Sequence, residues 1–324
     1  MGSMNPWGYF NFKMSLLMLA AMLFACGDHS DRVDKPQTPL LTIASQPKAP
    51  YLVLVAPHQD DETIMAGGTL YRAAHDGHTR VKLIYVTAGD ALIIPGPCLE
   101  ESEEMRRQKI LALREDETIA AAEVLGISAS DIHFLRYPDQ GLAEESSFSN
   151  GRRIDIPTSA GEQAVAHVTD LLPDLIASDA TSLLVITASF WDAHPDHRTT
   201  YHAARTAAET VRNQLDIPVT LWHSIVHDEF LFPFPICCPG DLFWPNSGPT
   251  LDHDILVDLS VRPRPPPWDV VADISDLQAL RIEAMNKHES QFKGNWGLCM
   301  FVFLNRFYQS WQEKTEEAFW EEIL

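Results

Sequence analysis

Two six-residue apolar runs, Tyr51–Ala56 and Leu183–Ala188, constrain this chain more than any other feature, because each gives way to a cluster of histidine and aspartate. Runs this apolar and this rich in β-branched residues read as strands buried on both faces, the kind found in parallel sheets. The first ends in Pro57, His58, Gln59, Asp60, Asp61 and Glu62, after which small and apolar residues recur at helical spacing as far as Asp76 (Ile64, Met65, Leu70, Ala73, Ala74). The second leads to His194, Pro195, Asp196, His197 and Arg198, and then to an Ala-rich helical stretch from Thr199 to Asn213. Both clusters therefore lie where a strand passes into a helix, the place where open α/β sheets build their sites.

The same alternation runs along the chain. Val81 to Thr87, Ile132 to Tyr137 and Val219 to Val226 read as further strands, and Glu103 to Leu125 and Glu162 to Leu172 as helices. The pattern predicts an α/β fold: a Rossmann-like, doubly wound, mostly parallel sheet with helices on both faces and a metal site at the carboxyl ends of strands. Gly67 and Gly68 inside the first helix are expected to let it pack close to the sheet. Without an internal repeat or a Gly/Ser linker, residues 50–324 read as one domain with a Pro- and aromatic-rich insertion at about 230–268. Its aromatics, Phe230, Phe232, Phe234, Phe243, Trp244 and Trp268, are expected to pack that loop onto the body.

A catalytic zinc takes three protein ligands from histidine and carboxylate and leaves one position for water. His58, Asp61 and one of His194 and His197 make that count. Asp60, on the same turn as two ligands but pointing elsewhere, can then take a proton from water, and the remaining histidine can face a developing oxyanion. Helix capping by Asp60, Asp61 and Asp196 is the plainer reading; it leaves the histidines and the second aspartate of the first turn unexplained. There is no Gly-x-Ser-x-Gly elbow for serine hydrolysis, and the first strand lacks the Gly-x-Gly-x-x-Gly turn of a dinucleotide site.

With these motifs the chain resembles the LmbE-like family of metal-dependent de-N-acetylases, which includes the PIG-L enzymes acting on N-acetylglucosaminyl lipids. The family's first motif reads Pro/Ala-His-Pro-Asp-Asp-Glu, with Gln59 here in place of proline, and its second, His-Pro-Asp-His, is intact. The Gln59 change falls on a non-ligand position and is expected to leave activity in place. The resemblance implies that His58, Asp61 and His197 hold Zn2+ (Fe2+ or Co2+ being alternatives), that Asp60 is the general base, and that a protonated His194 stabilises the tetrahedral intermediate. Looser matches are Thr87-Ala88-Gly89-Asp90, the helix opening near Arg114, the loop Arg136 to Leu142, and Lys287-His288-Glu289-Ser290-Gln291. They mark Arg114 and Asp139 as candidate substrate contacts, and Asp192 is a third candidate. The expected reaction is hydrolysis of the acetamide of an N-acetylated amino sugar. A zinc amidase for other acyl groups and a non-catalytic glycan-binding protein are the rival expectations.

Composition narrows the partners. The net charge of −21, from 24 basic and 45 acidic residues, excludes an electrostatic grip on nucleic acid. The acidic clusters at Glu100 to Glu104, Glu115 to Glu117 and Glu313 to Glu322 are expected to be solvated helix faces. Nothing in the sequence fixes the oligomeric state. At the N-terminus, Lys13 precedes an apolar run from Met14 to Ala25 that is too short for a membrane span and suits a signal h-region. Leu23-Phe24-Ala25-Cys26 resembles a bacterial lipobox, so residues 1–26 are expected to be a lipoprotein-type signal peptide, Cys26 the lipidated residue, and 27–49 a tether to the cell envelope. Cys98, Cys237, Cys238 and Cys299 remain, an even number that permits two disulfides.

Overall fold

The computed structural model describes residues 51–91, 102–149, 152–176, 179–192, 194–226, 269–292 and 314–324. The expected leader with Cys26, the tether, the segment 230–268 and the other four cysteines lie outside the described residues.

Strand β1 (Tyr51–Ala56) is buried along its whole length, and its period of two deals side chains alternately to two cores. Leu52, Leu54 and Ala56 enter one core beside Val81, Leu83 and Tyr85 of β2 (Arg80–Thr87); Tyr51, Val53 and Val55 enter the other. A strand with an apolar layer on each side must sit mid-sheet between two helical layers. The first layer comes from α1 (Asp61–His75), α2 (Glu103–Val124) and α5 (Gln278–Met285), through Ile64, Met65, Leu70, Ala122, Ala284 and Met285. The second comes from α3 (Ser159–Leu175) and α4 (Pro195–Leu215). In α4 the buried positions Ala203, Ala204, Ala207 and Ala208 form a small-residue face. Opposite them Val168 and Leu172 of α3 are fully buried, each stabilising the fold by about 1.5–3 kcal/mol.

The main sheet has the order β3-β2-β1-β6-β7-β9-β8, with β3 Ile132–Tyr137, β6 Leu183–Ala188, β7 Val219–Ser224, β8 Val270–Asp273 and β9 Glu316–Ile323. The five strands from β3 to β7 in this order are parallel, and β9 runs antiparallel to both β7 and β8. A separate hairpin pairs β4 (Ala143–Ser149) with β5 (Arg152–Pro157). Chain order reverses beside β1: β2 and β3 extend the sheet one way, β6 and β7 the other. The crevice outside the carboxyl ends of β1 and β6 is therefore the topological switch point, and both polar clusters open into it. The expected doubly wound sheet is present.

One local expectation is corrected and a second refined. The acidic run ending at Glu322 is strand β9 from Glu316 on, because Phe319 and Trp320 supply core contacts that a solvated helix face would not. Glu317 is buried and accepts the N–H groups of Gly68 (2.7 Å) and Thr69 (2.9 Å). Helix α1 breaks at Ala66 (φ −145°, ψ 20°), which opens a second helix start inside it, and a carboxylate suits such N–H groups. Glu117 is buried as well. The refinement concerns Gly67 and Gly68, whose close approach is to the β8–β9 edge of the sheet and to α5: a Cβ on Gly68 would lie 2.4 Å from Ile274 Cγ2 and 3.4 Å from Glu317 Oε1, and one on Gly67 3.2 Å from Arg281 Cγ. Among the described residues no helix is long and apolar enough to cross a membrane.

Candidate active site

Three potential ligand atoms meet at the switch point. His58 Nδ1 and His197 Nε2 lie 3.1 Å apart, and Asp61 Oδ2 lies 3.6 Å from the first and 3.5 Å from the second. Neither carboxylate distance is a hydrogen bond. For zinc at its usual 2.0–2.1 Å from nitrogen or oxygen, tetrahedral ligands stand about 3.3 Å apart, so the triangle has the edges of one face of a metal site. The donor set of two imidazoles and a carboxylate suits zinc among the common divalent ions, and the residues fit the group.

Outside the triangle each imidazole is backed by a carboxylate. His58 Nε2 lies 3.0 Å from Asp139 Oδ1 and 3.5 Å from Asp196 Oδ2, and His197 Nδ1 lies 3.1 Å from Asp192 Oδ2. Carboxylates on the far nitrogens fix the ring orientation of metal-binding histidines and raise their basicity. Burial alone would lower the His58 pKa; Asp139, Asp196 and Asp61 reverse this and raise it well above the ordinary value. Burial would likewise raise the Asp139 carboxyl, but His58 and Arg114 hold it below the usual range.

The turn after β1 is shaped by Asp60, whose φ of 122° is rare for a residue with a side chain. Its carboxylate is the most open of the turn, 17% exposed against 2% for Asp61. Burial, with Asp61 and Glu62 beside it, outweighs Arg114 and His288 and pushes the Asp60 pKa up to about 7. Arg114 Nη2 stands 3.5 Å from Asp60 Oδ1 and also donates to the Gln59 carbonyl, while Nη1 donates to the Gly89 carbonyl at 2.6 Å.

Gln59, where the resembling family has proline, is fully buried and donates from Nε2 to the Thr87 carbonyl at 3.1 Å. It ties the turn after β1 to the end of β2. Gly89 (φ 60°) makes room, since a Cβ there would fall 2.1 Å from Gln59 Oε1.

His194 caps α4: the Asp196 N–H donates to its Nδ1 at 3.2 Å. In that role Nδ1 is the acceptor, which leaves Nε2 to carry a ring proton. One nitrogen from each of His58, His194 and His197 lies within 4.8 Å of the others, so His194 borders the triangle. A second grouping of His58, Asp139, His194 and Asp196 overlaps it. His197 supplies triangle edges of 3.1 and 3.5 Å and is backed by Asp192.

The three residues expected at the substrate are placed behind this assembly. Asp192 is buried, accepting from the His194 N–H (2.9 Å) and the Val226 N–H (2.8 Å). Arg114 is buried against the catalytic turn, and Asp139 accepts the Ala91 N–H at 3.2 Å while facing His58. Asp196 took no catalytic part in the sequence reading, although its place between two motif histidines was a signal. It accepts the N–H groups of Gln140 (2.7 Å) and Leu142 (3.0 Å), pinning the loop that carries Asp139. Arg198 grips both oxygens of Asp155 on β5 at 2.6 and 2.7 Å and the Asp192 carbonyl at 2.7 Å, fastening the hairpin beside the site.

Known proteins resemble this chain over the residues that build the site. The family described as PIG-L, GlcNAc-PI de-N-acetylase, matches residues 53–208, which hold both motifs. A 1D-myo-inositol 2-acetamido-2-deoxy-alpha-D-glucopyranoside deacetylase of Streptomyces avermitilis is 31% identical over 284 residues, covering 80% of this chain and 90% of the relative. The chain belongs to the PIG-L family. Its Actinosynnema mirum relative of the same name is 26% identical over 259 residues, 75% of this chain and 81% of that one. Among solved structures, an N,N'-diacetylchitobiose deacetylase from Pyrococcus horikoshii aligns over 85% of this chain and 84% of its own, with 20% identity and a TM-score of 0.49. As a PIG-L protein with an assembled His/Asp cluster, the chain is a metal-dependent N-deacetylase.

Proposed function

We propose that this enzyme removes the acetyl group from an N-acetylated amino sugar of the N-acetylglucosamine type, with Zn2+ held by His58, Asp61 and His197. The observation that carries this reading is the triangle of edges 3.1, 3.5 and 3.6 Å, and the relatives' printed substrate, a 2-acetamido sugar, supplies the chemistry. A zinc ion held there would supply Lewis acidity, which lowers the pKa of water and polarises an amide carbonyl.

The chain's own residues supply the rest. Asp60 accepts a proton from the attacking water as the C–O bond forms. His194, neutral and protonated on Nε2, donates toward the carbonyl oxygen as charge builds there. When the C–N bond breaks, the proton on Asp60 passes to the leaving nitrogen, giving acetate and a free amine. Asp139 and Asp192 orient the two ligand imidazoles, and Arg114 holds the turn of the base.

The test is a panel of N-acetylglucosamine conjugates and their longer N-acyl analogues, scored for free amine and released acid. Acetyl compounds should be the better substrates; preference for a longer acyl chain would reassign the enzyme to another amide. The sequence Leu23-Phe24-Ala25-Cys26 supports a lipid anchor in the bacterial envelope as part of the same proposal. Cys26→Ser should then release the protein from membranes, and persistent membrane association would remove Cys26 from that role.

A further inference from the structure

We propose that Glu62 and His288 are positioning residues that hold Asp60 in its working conformation, a role that rests on reading Asp60 as the base. A φ of 122° costs of order 1–3 kcal/mol and persists only where the surroundings over-determine it. The restraints are identifiable. Glu62 Oε2 accepts the Asp60 N–H at 3.0 Å, and the Asp60 carbonyl accepts the N–H (3.1 Å) and hydroxyl (2.8 Å) of Thr63. Glu62 is itself held from the far end, where Oε1 lies 2.6 Å from His288 Nε2, and both side chains are fully buried.

His288 reaches this place from 226 residues downstream, and its own seat is fixed twice. Its N–H donates to the Met285 carbonyl at 3.1 Å. Two residues on, Ser290 donates its N–H (2.7 Å) and hydroxyl (2.6 Å) to the two oxygens of Glu117. Glu117 stands on α2 one turn beyond Arg114, so the helix that presents Arg114 to the Asp60 carboxylate also anchors the segment that presents His288 to Glu62. Carboxylate and backbone of Asp60 are thus gripped through one helix. A buried imidazole–carboxylate pair is a poor source of net stability compared with apolar packing, and neither residue belongs to the metal triangle.

The test compares His288→Ala with His288→Gln, whose amide nitrogen can replace Nε2 as the donor to Glu62. In the Ala variant kcat should fall roughly 10- to 100-fold, with KM changed less than about twofold and one equivalent of zinc retained; the Gln variant should regain most of the rate. Wild-type kcat in the Ala variant, equal losses in both variants, or a loss that follows zinc content would overturn the positioning role. If the Ala variant does not fold, Glu62→Asp takes its place, since the shorter side chain cannot span Asp60 and His288; undiminished kcat there would equally overturn it. Asp60→Asn run in parallel separates the two readings. An active Asp60→Asn removes the base assignment, whereas an inactive one beside a wild-type His288→Ala leaves the base and removes only its positioning.

Discussion

Asp60→Asn is expected to keep its zinc and lose roughly 100- to 10,000-fold in turnover, the range for removing a general base. The amide has the shape of the carboxylate but cannot accept the proton of the attacking water. Asparagine is also among the residues that best tolerate positive φ, so the turn at 122° should survive and the loss can be assigned to chemistry. Asp60 is not part of the triangle, and His58, Asp61 and His197 should stay where they are. Steady-state kinetics with elemental analysis of the same preparation checks both halves. An Asn variant with near-normal turnover would take the base role from Asp60, and one that had lost its zinc would move Asp60 into the ligand set.

The second large effect is expected at His197. Removing one of three protein ligands should weaken zinc binding by on the order of 3 kcal/mol, more than a hundredfold, and turnover should fall with it at limiting metal. His194 lies close enough to offer a nitrogen, but its Nδ1 already accepts a backbone N–H and orients the ring as a donor. Substitution there should cost turnover with little change in affinity. Equilibrium dialysis of His197→Ala and His194→Ala against zinc distinguishes them, and the reverse order of affinities would exchange the two roles. Because its carboxylate neighbours raise the His58 pKa, the metal-free protein carries a proton that zinc must displace. Affinity should therefore weaken as the pH falls below that raised pKa.

The fold was legible wherever apolar residues alternate with turns and helical spacing. Tyr51–Ala56 and Leu183–Ala188 announced the centre of the sheet because a strand covered on both faces has to be apolar throughout. Strand β9 was hidden, since Glu316, Glu317, Glu321 and Glu322 resemble a solvated helix face until Gly68 and Thr69 are seen to need an acceptor. Two short motifs narrowed the triangle to His58, Asp61 and one of His194 and His197, and the family resemblance implied His197. What sequence could not give is which groups stand behind it. Loose family matches marked Arg114 and Asp139 as residues near the substrate, but no sequence pattern shows that Asp139 and Asp192 face the His58 and His197 imidazoles or that Arg114 donates to the Gln59 and Gly89 carbonyls. The role of Gln59 is equally hidden in sequence, because its side chain bonds to the Thr87 carbonyl at the end of the neighbouring strand.

The most direct measurement follows amine release from an N-acetylglucosamine conjugate by protein stripped of metal with a chelator and then titrated with Zn2+. Turnover should vanish on stripping and return in proportion to added zinc, levelling off at one equivalent per chain. Turnover that survives complete removal of the metal would contradict a metal centre built from His58, Asp61 and His197.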